Sequence, residues 1–135
     1  MTTNSTVAQA VSSSGLNAFK PRILHTAYFV ADIDRSVTFY TNVLGFTKVF
    51  ENGSPVGFVI LEKDAAELHV SLFKTHNATV QNVAHLMVQD ASALYEHLLR
   101  NQVKIVKAIR DADFGLRCFI FADPDGNRID VGQDL

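Results

Sequence analysis

The stretch LHTAYFVADIDRSVTFYTNVLGF, residues 24–46, decides the fold. Its first part, residues 24–30, is dominated by aromatic, aliphatic and β-branched side chains and predicts a strand. The strand ends before Asp32, and Asp32 or Asp34 can cap a helix by accepting a hydrogen bond from an otherwise unpaired N–H of its first turn. Ile33, Val37, Tyr40 and Leu44 then follow helical spacing, and Gly45 supplies the stop. Further strands are predicted at 46–51, 57–61 and 67–72. They are separated by the turn residues Asn52-Gly53-Ser54-Pro55 and Glu62-Lys63-Asp64.

The same order returns later in the chain. A strand at 83–88 leads to Asp90, which caps a helix carrying Leu94, Tyr95, Leu98 and Leu99 on one face. Strands follow at 103–109, 116–121 and 128–132. The last two are joined by Asp123-Pro124-Asp125-Gly126-Asn127, where Pro presets one turn dihedral and Gly permits a positive φ. A shift of 58 residues takes Val30 to Val88 and Asp32 to Asp90. Two copies at so long a period imply paired modules, not a solenoid. The expected fold is therefore α+β: two βαβββ modules, about 22–73 and 81–133, in one domain over 21–135. Two curved, mixed four-stranded sheets side by side form a cleft lined by alternate residues of each strand.

Composition narrows the function. The 135 residues are 47% hydrophobic and 19% charged, with ten Phe and no Trp. That suits one globular domain with a Phe-rich interior. The net charge of −2 comes with scattered Lys and Arg, which argues against nucleic acid as a partner, because that binding needs clustered cations. A lone Cys118 in an apolar run reads as a buried thiol. No apolar run approaches bilayer-spanning length, and the N-terminus lacks a basic region followed by an apolar core, so a cytoplasmic protein with no membrane partner is expected. Residues 1–20 read as a polar tail, with Ser12 to Gly15 its most linker-like part and a short helix over 7–11 as an alternative. There is no nucleophile elbow, phosphate-cradling Gly-rich loop or Cys pair.

Three segments resemble the vicinal-oxygen-chelate superfamily, which comprises glyoxalases, bleomycin resistance proteins and extradiol dioxygenases. They are Leu24-His25-Thr26 with Val30 to Ser36 and Phe39 to Phe46, then Val88 to Leu98, then Phe119 to Gln133 with its Asp-Pro-Asp-Gly-Asn turn. The resemblance covers about 23–133. It implies a divalent metal (Ni, Zn, Fe or Mn) held by imidazoles and carboxylates on inward-facing strand positions, with open sites for substrate oxygens. Carried over by position, it makes His25, Glu67, His85 and Asp130 the candidate ligands, with Glu67 and Asp130 as the candidate catalytic carboxylates. His69 shares a strand face with Glu67 and either substitutes as a ligand or lines the pocket. Phe119 and Phe121 are further candidates for the pocket lining.

Two departures qualify the resemblance. Asp130 stands where related enzymes carry Glu and is one methylene shorter. The position matching His25 in the second module is Val83; His85 lies two residues, roughly 6.6 Å, further along the strand. Two functional readings thus stay open: a metal-dependent lyase, isomerase or dioxygenase acting on a small oxygenated metabolite, or a metal-free binding or sequestration protein of the bleomycin-resistance type. A non-catalytic regulatory module ranks below both. A homodimer is expected from the resemblance. His76 reads as an exposed loop residue and His97 as solvent-facing on the second helix.

Overall fold

The computed structural model describes residues 13–135. In chain order the elements are α1 (Ser13–Ala18), β1 (Thr26–Val30), α2 (Ile33–Asn42), β2 (Thr47–Asn52), β3 (Phe58–Lys63) and β4 (Ala66–Leu72). The second set is β5 (Asn82–Met87), α3 (Ala91–Arg100), β6 (Ile105–Asp111), β7 (Leu116–Ala122) and β8 (Arg128–Asp134). Each set makes one four-stranded sheet, ordered β1-β4-β3-β2 and β5-β8-β7-β6. In both, the first strand pairs in parallel with the last and the remaining pairs are antiparallel. The repeat read from the sequence is therefore a structural repeat, and the mixed α+β architecture is as expected.

The helices form as their caps dictate. Asp32 Oδ1 accepts the Arg35 N–H at 3.0 Å, and Asp90 Oδ1 accepts the Ala93 N–H at 2.9 Å. Gly45 ends the α2 segment at φ +75°, a conformation costly for any residue with a Cβ. Two boundaries differ from expectation. The first strand starts at Thr26 because Leu24, 97% exposed, lies outside the sheet. Residues 13–18 are a short helix where a linker was expected, with Leu16 exposed. The alternative helix at 7–11 falls outside the described residues.

The core lies between the helices and the sheets. Tyr28, Val30, Tyr40, Val59, Leu61 and Val70 of the first module are contiguous with Leu98, Phe119, Phe121, Ile129 and Val131 of the second. Phe119 and Phe121, expected in the pocket lining, are fully buried in this core. Phe119 meets Tyr95 of α3 edge to face, and Phe121 packs near Phe39 of α2. Their side of β7 faces the helices, so they cannot line an open cleft.

The two modules are joined by a polar seam built on the Asp123–Asn127 turn. Asp123 Oδ1 accepts the N–H groups of Asp125 and Asn127, both at 2.9 Å, which closes the turn, and Gly126 takes φ +82° within it. Asp125 Oδ1 reaches the first module, accepting from Ala31 N (2.9 Å) and from the Arg35 guanidinium (2.8 Å). Asn127 Nδ2 donates to the Phe29 carbonyl at 2.8 Å, and His76 Nε2 lies 2.9 Å from Asn127 Oδ1. Beneath the turn, Tyr28 donates to Tyr40 (2.6 Å) and Tyr40 to Asp123 Oδ2 (2.9 Å), all three buried. Burial pushes both phenols upward, so they stay protonated donors, and raises the Asp123 carboxyl.

His97 belongs to this seam as well. Its Nε2–H donates to the Val43 carbonyl at 2.7 Å, satisfying an acceptor at the end of α2. It faces the other module and not solvent, and His76 is likewise partly buried against the turn. Both histidines hold the modules together.

Candidate functional site

β4 alternates Leu68 and Val70 toward the core with Glu67 and His69 toward the open face. Thr26 is level with Leu68 in the parallel β1–β4 pair, which puts His25, one residue before the strand, level with Glu67. Strand periodicity and register alone thus bring together residues 42 and 44 positions apart in sequence. Glu67 Oε2 lies 3.1 Å from His25 Nδ1 and 2.6 Å from His69 Nε2, and the two imidazoles have ring centroids 4.6 Å apart. His69 is backed edge to face by Phe58 at 5.7 Å, which fixes its ring plane.

Glu62 faces Glu67 across the antiparallel β3–β4 pair. Their contact moves the two carboxyls in opposite directions, Glu62 upward and Glu67 downward. The hydrogen bond to His69, helped by Glu62 and by the charge of His25, holds Glu67 below the usual carboxylate range against its partial desolvation. Glu62, hydrogen-bonded to Glu67, moves upward. The result is one ionised carboxylate in contact with two imidazoles, beside a second carboxyl that takes up the proton more readily.

The donor atoms of His25, Glu67 and His69 all lie within 4.8 Å of one another, and they form the one such group among the described residues. Two imidazole nitrogens and a carboxylate oxygen on one face suit a divalent first-row transition metal, which accepts this mixed set with positions to spare. The residues present therefore fit the metal that the sequence implied. Of the four candidate ligands, the structure brings His25 and Glu67 together and adds His69.

His85 and Asp130 sit apart from this group, on the second sheet. They are register partners in the β5–β8 pair, with His85 Nδ1 2.9 Å from Asp130 Oδ2. A register shift between Asn82 and Ala84 marks a bulge there, but it does not carry His85 into the His25–Glu67–His69 group. Val83, the positional match of His25, instead offers its carbonyl to the Thr26 hydroxyl where β1 and β5 meet.

A cleft of about 500 Å³ opens between the starts of β1 and β4 and the middle of β5. His25 and Glu67 from the first module and His85 from the second line it, together with apolar residues that include Leu44, Phe46 and Leu86. The open face of the first sheet continues outward as an aromatic surface. Phe29 and Phe73 pack at 5.4 Å, Phe50 and Phe58 at 6.1 Å, and Phe29, Phe50 and Phe73 are each about half exposed. Among the described residues no helix is long and apolar enough to cross a membrane.

Comparison with known proteins agrees with this architecture. The chain is similar to the lactoylglutathione lyase of Salmonella typhimurium, with 29% identity over 124 residues, covering 82% of this chain and 90% of that one. Among solved structures it resembles the bleomycin resistance determinant encoded on the transposon Tn5, at TM-score 0.72 and 20% identity, covering 84% of this chain and 98% of that one. It also resembles a superfamily member from Sphaerobacter thermophilus, at TM-score 0.68 and 25% identity over the same shares. The superfamily's sequence profile matches residues 22–131, which spans both modules and the seam that joins them. By this match and by its paired βαβββ sheets, the chain belongs to the Glyoxalase/Bleomycin resistance protein/Dioxygenase superfamily.

Proposed function

We propose that the protein is a divalent-metal-dependent enzyme acting on a small oxygenated molecule, a lyase, isomerase or dioxygenase, with His25, Glu67 and His69 holding the metal. The observation that carries this reading is the convergence of three donor atoms within 4.8 Å of one another, two of them on residues, His25 and Glu67, that also line the cleft. A metal bound there supplies Lewis-acid stabilisation of negative charge on a substrate oxygen. The chain's own residues do the rest. Glu67 touches both imidazoles and so fixes their separation, Phe58 holds the plane of His69, and Glu62 offers a neighbouring carboxyl that takes up a proton more readily than Glu67. The apolar lining of the cleft excludes water around a small guest.

The 29% match to lactoylglutathione lyase supports the lyase end of this range, with a glutathione-linked or similarly small oxygenated compound as substrate. The half-exposed Phe29, Phe50 and Phe73 support a homodimer in which a second copy covers the open face of the first sheet.

Metal content of the purified protein tests the reading, together with thermal unfolding in Ni, Zn, Fe or Mn. The expected result is about one divalent ion per chain and a rise in unfolding temperature that His25→Ala abolishes. No bound ion and no thermal shift with any of the four would reject it.

The aromatic face favours a second reading, in which the cleft sequesters a planar or apolar molecule without a metal. Likeness in fold to the bleomycin resistance determinant is compatible with it. Its signature is thermal protection by such a ligand with none by metals.

A further inference from the structure

The internal repeat makes the two ends of the contact between modules comparable, and they are finished differently. A shift of 58 residues takes Tyr28 to Leu86, Ala31 to Gln89 and Tyr40 to Leu98. Thr26 and Ala84, also 58 apart, pair with Leu68 and Ile129, which are opposite Leu61 and Phe121 in turn. Two residues further along each hairpin, Lys63 and Ala66 therefore stand where Asp123 and Asn127 stand. Between Asp123 and Asn127 the turn has three residues, and Asp125 among them reaches across to accept the Ala31 N–H at 2.9 Å. The first module's turn has only Asp64 and Ala65 there. It leaves a second cleft, of about 820 Å³, bordered by Gln89 and Leu94 of the other module. Gln89, the counterpart of Ala31, has an N–H without an acceptor among the described residues.

Each polar anchor of the sealed end is changed at the open one. The phenols of Tyr28 and Tyr40 become Leu86 and Leu98, the amide of Asn127 becomes Ala66, and the carboxylate of Asp123 becomes the ammonium of Lys63. Lys63 makes no salt bridge among the described residues, and its Nζ lies over Gly45, 3.4 Å from where a Cβ would stand. Leu44, Phe46, Leu86 and Leu94 make the lining largely apolar, and its volume is that of sites that enclose a small organic molecule. Asp64 is the one carboxylate on that lining; it stands beside Lys63 and opposes a second negative charge. We propose that this second cleft binds a small amphipathic monoanion, an apolar body ending in one carboxylate. The carboxylate lies against Lys63 and the Gln89 N–H, as Asp125 lies against Arg35 and Ala31 at the sealed end. The apolar body covers the leucines and leaves water. The site uses no metal and is separate from the His25–Glu67–His69 group.

The test uses the full chain freed of metal, so its outcome is independent of whether the His25–Glu67–His69 group binds an ion. Octanoate and its neutral counterpart octanamide are titrated at neutral pH while backbone amide resonances are followed by NMR. The expected result is saturable shifts centred on Lys63, Gln89 and Leu94, with octanoate bound about three- to tenfold more tightly than octanamide. Lys63→Met, which keeps the apolar stem and removes the charge, should erase that preference and leave octanamide binding near wild type. Lys63→Arg should retain it. Lys63 is exposed, so both variants are expected to fold, and unchanged resonances away from the cleft check that they do. Shifts centred instead on the exposed Phe29, Phe50 and Phe73, equal affinity for acid and amide, or a preference that survives Lys63→Met would overturn the proposal. So would the absence of saturable binding by either probe.

Discussion

Removing one hydroxyl, in Tyr40→Phe, should uncouple the seam that holds the two modules in register. The Tyr40 hydroxyl donates to Asp123 Oδ2 at 2.9 Å and accepts from Tyr28 at 2.6 Å. Deleting it loses a hydrogen bond to a carboxylate, worth about 1.5–3 kcal/mol, and strands the buried Tyr28 donor at a further cost of about 1–3 kcal/mol. The expected total is about 3–5 kcal/mol, a large share of the stability of a small domain. Tyr28→Phe alone should cost only about 1 kcal/mol, because Tyr40 keeps its bond to Asp123. The double variant should then be more stable than the sum of the singles predicts by about 1–2 kcal/mol, since no donor is left stranded. Urea unfolding of the four proteins at neutral pH, compared at constant m, gives these differences. A Tyr40→Phe cost below about 1 kcal/mol, or strict additivity of the pair, would refute the buried relay.

Other expectations concern the same seam and its pH dependence. Asn127, buried, donates to the Phe29 carbonyl at 2.8 Å and to Asp123 Oδ2 at 3.1 Å, so Asn127→Ala should cost about 2–4 kcal/mol in the same urea assay. Burial raises the folded-state pKa of Asp123, so the folded chain binds its proton more tightly than the unfolded chain does. Wild type should therefore gain stability relative to Asp123→Asn as pH falls from neutral, with the gain complete below the ordinary Asp range; thermal unfolding across that series checks the sign. Glu67 acts oppositely: its lowered pKa stabilises the fold above the ordinary carboxylate range and is lost as pH falls through the lowered value. Relative to Glu67→Gln, wild type should lose stability only at that acid end.

Much of the fold was legible because the chain states it twice. Asp32 and Asp90 cap the two helices as their positions suggested, and the strands between them recur in the same order. What a single sequence lacked was the sign of each strand's face. In β7, Cys118, Phe119, Phe121 and Ala122 are all buried, so alternation offered no way to tell that Phe119 and Phe121 turn to the helices. His97 looked solvent-facing because its helix was read alone; its partner, Val43, lies 54 residues away in the other module. The site was half legible. The period of two put His69 beside Glu67, and resemblance supplied His25, but only the parallel register of β1 with β4 makes the three meet. For His85, the offset from Val83 marked a departure in the sequence, and in the structure His85 pairs with Asp130 on the second sheet.

Calorimetric titration of Ni or Zn into the metal-free protein, compared with His69→Ala and His85→Ala, tests the central claim most directly. Metal held by His25, Glu67 and His69 predicts that His69→Ala weakens binding by more than about tenfold while His85→Ala leaves it near wild type. Binding that survives loss of His69 and disappears with His85 would contradict the account.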